Sequence, residues 1–258
     1  MSYITRQHAL NTCLKMKNFY FNLASLYESS GMSIEENRGR RNIMMSAPME
    51  YFLAQELRKT FPKVDDDGRT GKADIIISFR KGFEKELECK LTSPHSSGSI
   101  SFQTDYETLE KKGSLDYIYI IANEDFSGFC AIHFKDLDIS DFRNLSPGAR
   151  GKVQMFKHKG MLKGNVLLGN VVNLNERRAE SIMEKMENQK SLIQSQINIW
   201  KEQRASLKNT QVYDYNKYTD QINRSTQKLE NLINKTEEEI KIISERKSRY
   251  TFEYEEIK

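Results

Sequence analysis

Ala73-Asp74-Ile75-Ile76-Ile77-Ser78-Phe79, followed across Lys81-Gly82 by Phe83-Glu84-Lys85-Glu86-Leu87-Glu88-Cys89-Lys90-Leu91, is the stretch that decides how this chain is read. Two apolar, β-rich runs on either side of a Lys-Gly pair predict the strands of a hairpin. Side chains alternate faces along a strand, so Glu86, Glu88 and Lys90 fall on one face and Leu87, Cys89 and Leu91 on the other. A carboxylate and an ammonium then stand side by side, with a second acid, Asp74, at the start of the neighbouring strand. Glu-x-Lys by itself carries little, because it recurs at Glu110–Lys112, Glu239–Lys241, Glu245–Lys247 and Glu256–Lys258, which read as solvated helix faces or a tail. The strand context, the acid upstream and a third carboxylate, Glu50, in a helix-like segment set the Glu88 copy apart. The competing reading is that Lys85, Glu86, Glu88 and Lys90 solvate the open face of an antiparallel hairpin.

Working outward, the 258 residues allow one substantial domain and an appendage. A mean hydropathy of −0.69 and 29% charged residues describe a polar chain. No apolar run approaches a membrane span and the first residues lack a signal-peptide core, so a cytoplasmic protein of prokaryotic type is expected. Cys13, Cys89 and Cys130 are odd in number and far apart, which argues against a disulfide framework or a zinc knuckle. The net charge of +4 is unevenly spread. From Arg143 to Asn175 there is no acid, while Arg143, Arg150, Lys152, Lys157, Lys159 and Lys163 are present, a pattern that suits a polyanion or an ordinary solvated loop.

Four segments are expected. Residues 1–43 form a helical segment whose apolar positions Leu10, Leu14, Phe19, Phe21, Leu23, Leu26 and Tyr27 have helical spacing, with Gly31 ending the helix. After it, Arg38, Arg40 and Arg41 surround Gly39 in a basic linker that suits a phosphate backbone or a plain turn. Residues 44–140 form an α/β core. There Ser46-Ala47-Pro48 predicts a helix start with its proline in the first turn, and Asp65-Asp66-Asp67-Gly68 reads as a turn. His95-Ser96-Ser97-Gly98-Ser99 reads as a flexible, substrate-facing loop that includes Ser97. Thr104 to Lys112 is predicted as a helix, Asp116–Ala122 as a strand buried on both faces and Phe129–Phe134 as another strand, giving a mixed sheet flanked by helices. Residues 141–175 are the basic segment. Residues 176–258 contain no Gly or Pro and carry stripes at Ile182, Met186, Ile193, Ile197, Trp200 and at Ile222, Leu229, Leu232, Ile233, Ile240, Ile243. These predict a coiled-coil-like hairpin of two long helices reversing between Asn209 and Asn216.

The acid-bearing strand start, the acid-x-lysine at the end of the next strand, the helical acid before them and the helix and strands after them resemble the PD-(D/E)xK nuclease superfamily, type II restriction endonucleases in particular. The resemblance covers residues 44 to about 135, with Ala73 where proline is usual. It implies a restriction-endonuclease-like mixed sheet. Asp74 and Glu88 become ligands of a divalent ion, completed by the Cys89 backbone carbonyl, and Glu50 binds a second ion or a metal-bound water. The hard oxygens suit Mg²⁺. Lys90 orients the attacking water and steadies the charge on phosphorus, and its two acid neighbours keep it protonated. Gln103 resembles a polar residue near some active sites of the superfamily.

What the resemblance implies is Mg²⁺-dependent, sequence-specific cleavage of double-stranded DNA within a restriction system, leaving 5′-phosphates, by a homodimer. Two other readings stand beside it. One is a structure-specific repair or recombination nuclease with the same chemistry. The other is a non-catalytic protein whose coiled coil and basic segment tether nucleic acid. No Gly-rich phosphate loop is present, so no nucleotide cofactor is expected, and His8, His95, His133 and His158 are isolated in the sequence.

Overall fold

Thr5 opens the first helix, α1 (Arg6–Ser29), by a reciprocal cap in which Thr5 Oγ1 accepts from the His8 amide at 3.2 Å and His8 Nδ1 accepts from the Thr5 amide at 3.3 Å. The computed structural model describes residues 2–66, 73–80, 82–95, 97–145, 151–207, 211–246 and 248–258. Its chain divides into two units, Met1–Val172 with Thr251–Lys258, and Asn173–Tyr250. Residues 1–43, 44–140 and 141–172 of the expected segments lie in the first unit, and the last eight residues return to it.

Helix α1 has the expected bounds but turns a different face inward. The buried stripe is His8, Ala9, Thr12, Cys13, Met16 and Tyr20, whereas Phe21 and Leu26 are 46% and 62% exposed. Small residues at 9, 12 and 13 let a neighbouring helix approach closely, which bulky leucines would prevent. That neighbour is α2 (Arg38–Arg58), which begins well before the expected Ser46 because Asn37 caps it, accepting from the Arg40 amide at 3.0 Å. The supposed linker is therefore helix, and Pro48 lies inside it. Proline leaves the Met44 carbonyl without its usual donor, a cost of about 3 kcal/mol. Burial of Met45, Met49, Leu53, Ala54 and Leu57 offsets it. Between the helices Glu56, almost fully buried, holds Lys15 and Lys59 at 2.8 Å and accepts from Asn11 at 2.8 Å.

The main sheet has the order β1 (Lys63–Asp65), β2 (Ile75–Arg80), β3 (Phe83–Thr92), β5 (Ser114–Ala122), β6 (Gly128–Asp138) and β11 (Glu255–Glu256), with β8 (Gly164–Leu168) also on β6. It is α/β and mixed. β1, β2 and β3 run antiparallel, β3 and β5 are parallel, and β5 and β6 are antiparallel. The parallel step needs a crossover. It is made through β4 (Gln103–Asp105) and α3 (Tyr106–Lys112), with Asp105 capping α3 and Gly113 ending it at φ 77°. Thus the helix predicted from Thr104 starts after a short strand, and Gln103 lies in that strand. β4 pairs with β7 (Lys152–Gln154). β5 is buried on both faces as expected: Ile118, Ile120 and Ala122 join the core under α1 and α2, while Tyr117, Tyr119 and Ile121 join a second core with Phe102, Leu109 and Phe134.

The segment read as a separate basic region is folded into this unit as β7, α4 (Lys157–Lys163) and β8. β9 (Asn170–Asn173) and β10 (Tyr250–Glu253) form a two-stranded ribbon, along which the chain leaves the first unit and returns.

The second unit is the expected antiparallel helical hairpin, α5 (Leu174–Ala205) and α6 (Val212–Glu245). The Leu174 amide donates to the Arg249 carbonyl at 2.8 Å, and at the other end Arg204 donates to Thr219 at 3.3 Å. Ile197, Ile222 and Ile243 are buried as the stripes require, together with Thr236. Among the described residues no helix is long and apolar enough to cross a membrane.

Candidate active site

Ile75 and Ile77 enter the core beneath α1 and α2, which fixes the phase of β2. Its register pairs Ile75 with Leu87, so Asp74, at the bend just before the strand, falls across from Glu88. There β2 has stopped and its backbone no longer supplies a partner to β3. The Asp74 carboxylate takes over, accepting from the Cys89 amide at 2.7 Å. In an antiparallel pair the N–H and C=O of one residue face the same neighbour. The Cys89 carbonyl therefore opens towards Asp74, while its side chain is buried in the core with Leu87.

On the other face, Glu88 and Lys90 share the pleat. Lys90 Nζ lies 2.8 Å from Glu88 Oε2 and 3.7 Å from Asp74 Oδ2. The Glu88 side chain is only 9% exposed, so Glu88 itself does not solvate an open face, whereas Lys90 beside it is 31% exposed. The parallel register sets Tyr117 beside Glu88 and Tyr119 beside Lys90. Both rings are fixed at their hydroxyls. Tyr117 shares a hydrogen bond with Thr104 at 2.9 Å, and Tyr119 donates to the Gln103 carbonyl at 2.8 Å.

The electrostatics are those of crowded acids around one base. Burial raises the Glu88 carboxyl, Lys90 opposes that, and Asp74 and Glu86 add to it. Glu50, on α2, is pushed up to about 7 by burial and then by Asp74 and Glu88, against the pull of Lys90. Burial works against the charge on Lys90, but Glu88 and Asp74 override it and hold the ammonium above its usual range. Asp74, Glu88, Lys90 and Glu50 therefore belong to one electrostatic group. Among the described residues no three acids, histidines or cysteines are gathered tightly enough to cage an ion by side chains alone. The donor set that faces Lys90 is two carboxylates, with the Cys89 carbonyl beside them. It is hard oxygen throughout and fits a small divalent cation.

The expected nucleic-acid contacts separate into several fates. Arg41 is 1% exposed: its guanidinium donates to the Glu124 carbonyl and to Ser93 Oγ at 3.0 Å, and lies 5.0 Å from the Phe126 ring. This corrects its assignment as a phosphate contact. Arg38 donates to the Pro94 carbonyl at 3.2 Å and pairs with the Glu124 carboxylate, so the two arginines fasten the exit of β3 to the β5–β6 turn. Arg40 is exposed on α2, as is Arg143 after the 3₁₀ turn at Ile139–Asp141. Ser97 shares a hydrogen bond with Ser99 at 2.9 Å in an exposed loop. Arg150 lies outside the described residues, as does Asp67 of the expected turn. Lys152 is exposed opposite Asp105. Lys157 lies over the Phe252 ring at 5.7 Å, and Lys159 donates to the Ser140 carbonyl at 2.8 Å. Lys163 pairs with Asp141 at 2.7 Å and Asp138 at 3.3 Å, an internal tie and not a free cation.

Sequence reasoning missed Asp105. Its carboxyl is lowered first by the Thr108 amide it caps, and Lys152 and Lys90 add to that, which brings the β4–β7 ribbon within electrostatic reach of Lys90. The spacing Asp105-x-x-Thr108 was a legible capping signal; its nearness to Lys90 depends on the crossover. Compared with known protein families, curated proteins and solved structures, the chain matches none.

Proposed function

We propose that this chain is a Mg²⁺-dependent phosphodiester hydrolase acting on double-stranded DNA. The observation that carries the reading is the meeting of Asp74, Glu88 and Lys90 where β2 parts from β3, with the Cys89 amide held by Asp74. Support comes from the order of elements around it: an acid-bearing helix, three antiparallel strands, a crossover helix and a parallel strand. That order agrees with the resemblance to the PD-(D/E)xK nucleases. Asp74, Glu88 and the Cys89 carbonyl would hold the ion, with Glu50 as an additional carboxylate. The bound ion would make a water nucleophilic at neutral pH and neutralise charge on phosphorus. Lys90, kept protonated by its neighbours, contributes a fixed positive charge beside the scissile phosphate. Glu50 in its protonated form donates a hydrogen bond, and ionised it adds a carboxylate.

Within that reading the chain is a sequence-specific endonuclease of a restriction system, acting as a homodimer in the cytoplasm. The tethering alternative loses ground because Glu88 is buried against Tyr117 and not spread on a solvated face. The test is incubation of purified protein with supercoiled plasmid and unmodified genomic DNA in Mg²⁺, followed by sequencing of the ends. Discrete fragments with 5′-phosphates are expected. Intact DNA over a range of Mg²⁺ concentrations would overturn the proposal.

A further inference from the structure

The second unit carries a groove of about 560 Å³ near the start of α5, lined by Arg177, Arg178 and Lys185, with Leu174 and Ile182 as apolar surface and Glu239 of α6 as its acid. In sequence, acids and bases alternate here and suggest no positive face. The helix separates them. Glu176, Glu180, Glu184 and Glu187 follow one another at steps of three and four and make a stripe of their own. Arg178 and Lys185, seven residues apart, line the groove on a different face, and Arg177 lies between them and the stripe. Glu239 approaches Arg178 only at 3.9 Å with both side chains well exposed, so it neutralises little. Among the described residues Arg177 and Lys185 have no ion-pair partner.

We infer that this groove is a docking surface for the phosphate backbone of double-stranded DNA, an inference that takes its ligand from the proposed function. Three cations over aliphatic surface suit a sugar-phosphate strand, whose phosphates repel one another and whose sugars are apolar on one side. A second copy of the chain fits less well. Groove against groove sets like charges together, which disfavours a two-fold contact centred on this face.

The experiment measures binding of a labelled 30-bp duplex to the full chain in EDTA, across a series of salt concentrations. Arg177→Ala/Arg178→Ala/Lys185→Ala is compared with Lys201→Ala/Lys217→Ala/Lys228→Ala, which removes equal charge elsewhere on the arm. The groove variant is expected to make the slope of log K against log salt shallower by about 2 to 3, at roughly 0.9 for each phosphate no longer neutralised, and the other variant to leave it near wild type. A Gln triple variant at the groove positions, which keeps much of the side-chain stems, should reproduce the shift. Equal slopes, equal changes in both variants, or a wild-type dimer that the groove variant turns into a monomer in light scattering would overturn the inference. Plasmid cleavage in Mg²⁺ is read separately. Cleavage without a groove effect removes the groove and keeps the nuclease, and a groove effect without cleavage does the reverse.

Discussion

Strand β3 carries two lysine-centred acid groups five residues apart. At Lys85 the ammonium lies 2.7 Å from Asp136 and 3.9 Å from Asp116. Buried Asp116 also accepts from Tyr3 Oη at 3.0 Å and from the Asp136 amide at 2.7 Å. The hydrogen bond from Lys85 holds the Asp136 carboxyl below its usual range. At Lys90 the residue types are the same and the outcome is opposite, for Glu88 is raised and Glu50 sits near 7. The difference lies in the number of fixed donors per carboxylate. Where amides and hydroxyls meet the acids, the group ties strands together. Where buried acids outnumber donors, their carboxyls are left raised, and added positive charge there would be favoured, in keeping with the proposed function.

The largest expected effect separates the two groups by activity. Asp74→Ala, Glu88→Ala and Lys90→Ala should each lower plasmid cleavage more than about 100-fold, at least the loss typical of groups that only support metal ligands. Lys85→Ala should stay within a fewfold of wild type. Comparable losses at Lys85 and Lys90 would erase the distinction.

A pH titration of stability sharpens it. Burial alone would raise Glu56, but hydrogen bonds from Lys15, Lys59 and Asn11 override it and hold the carboxyl at about 2. A folded value below the unfolded one stabilises fully above about pH 4.5, and the gain is lost as pH falls towards 2. Up to about 3 kcal/mol should therefore disappear over that window in wild type, and Glu56→Gln should flatten the loss when urea unfolding is followed at each pH. An unchanged pH profile in the variant would show that Glu56 is not the pinned acid described above.

Smaller still is the stability cost at Lys85. Lys85→Met leaves Asp116 buried without its cation and should cost about 1–3 kcal/mol in urea unfolding, less than a fully buried pair because Lys85 is 29% exposed. Glu88→Gln, which removes a crowded negative charge, should cost less. The reverse order would mean that the Lys90 group is the structural one. Smallest of all, Lys159→Ala should change the salt slope of DNA binding by at most about 0.9, while Lys163→Ala should lower stability and leave that slope alone.

The hairpin carrying the site was legible because its alternation and its Lys-Gly turn are local, and β5 because an unbroken apolar run of strand length has few other uses. Residues whose role depends on distant partners were not. Arg41 reads as a surface cation, and only the Glu124 carbonyl and the Phe126 ring, more than 80 positions on, make it an internal clamp. The start of α2 was hidden by Pro48, a strong start signal that packing overrode. β11, with only Glu255 and Glu256, has no pattern to read, and β10 at Tyr250–Glu253 falls where the sequence was read as helical hairpin. That Asp74 falls across from Glu88 was not legible from the turn, because an irregularity between Ser78 and Arg80 shifts the register by one residue. The excess of acid around Lys90 required knowing which face α2 brings near.

The helical hairpin is an insertion: the chain departs at Val172 and returns at Thr251 to add β11 to the sheet, where Ile257 is buried in the core beneath α1 and α2. During synthesis this gives the protein a clock. At 5–20 residues per second, the 78 residues from Asn173 to Tyr250 take roughly 4–16 s to translate. Throughout that interval the Lys90 group has already been made, but the edge of β6 that β11 will cover is still bare. The ribosome thus delivers the parts of the site first and the strand that closes their framework last.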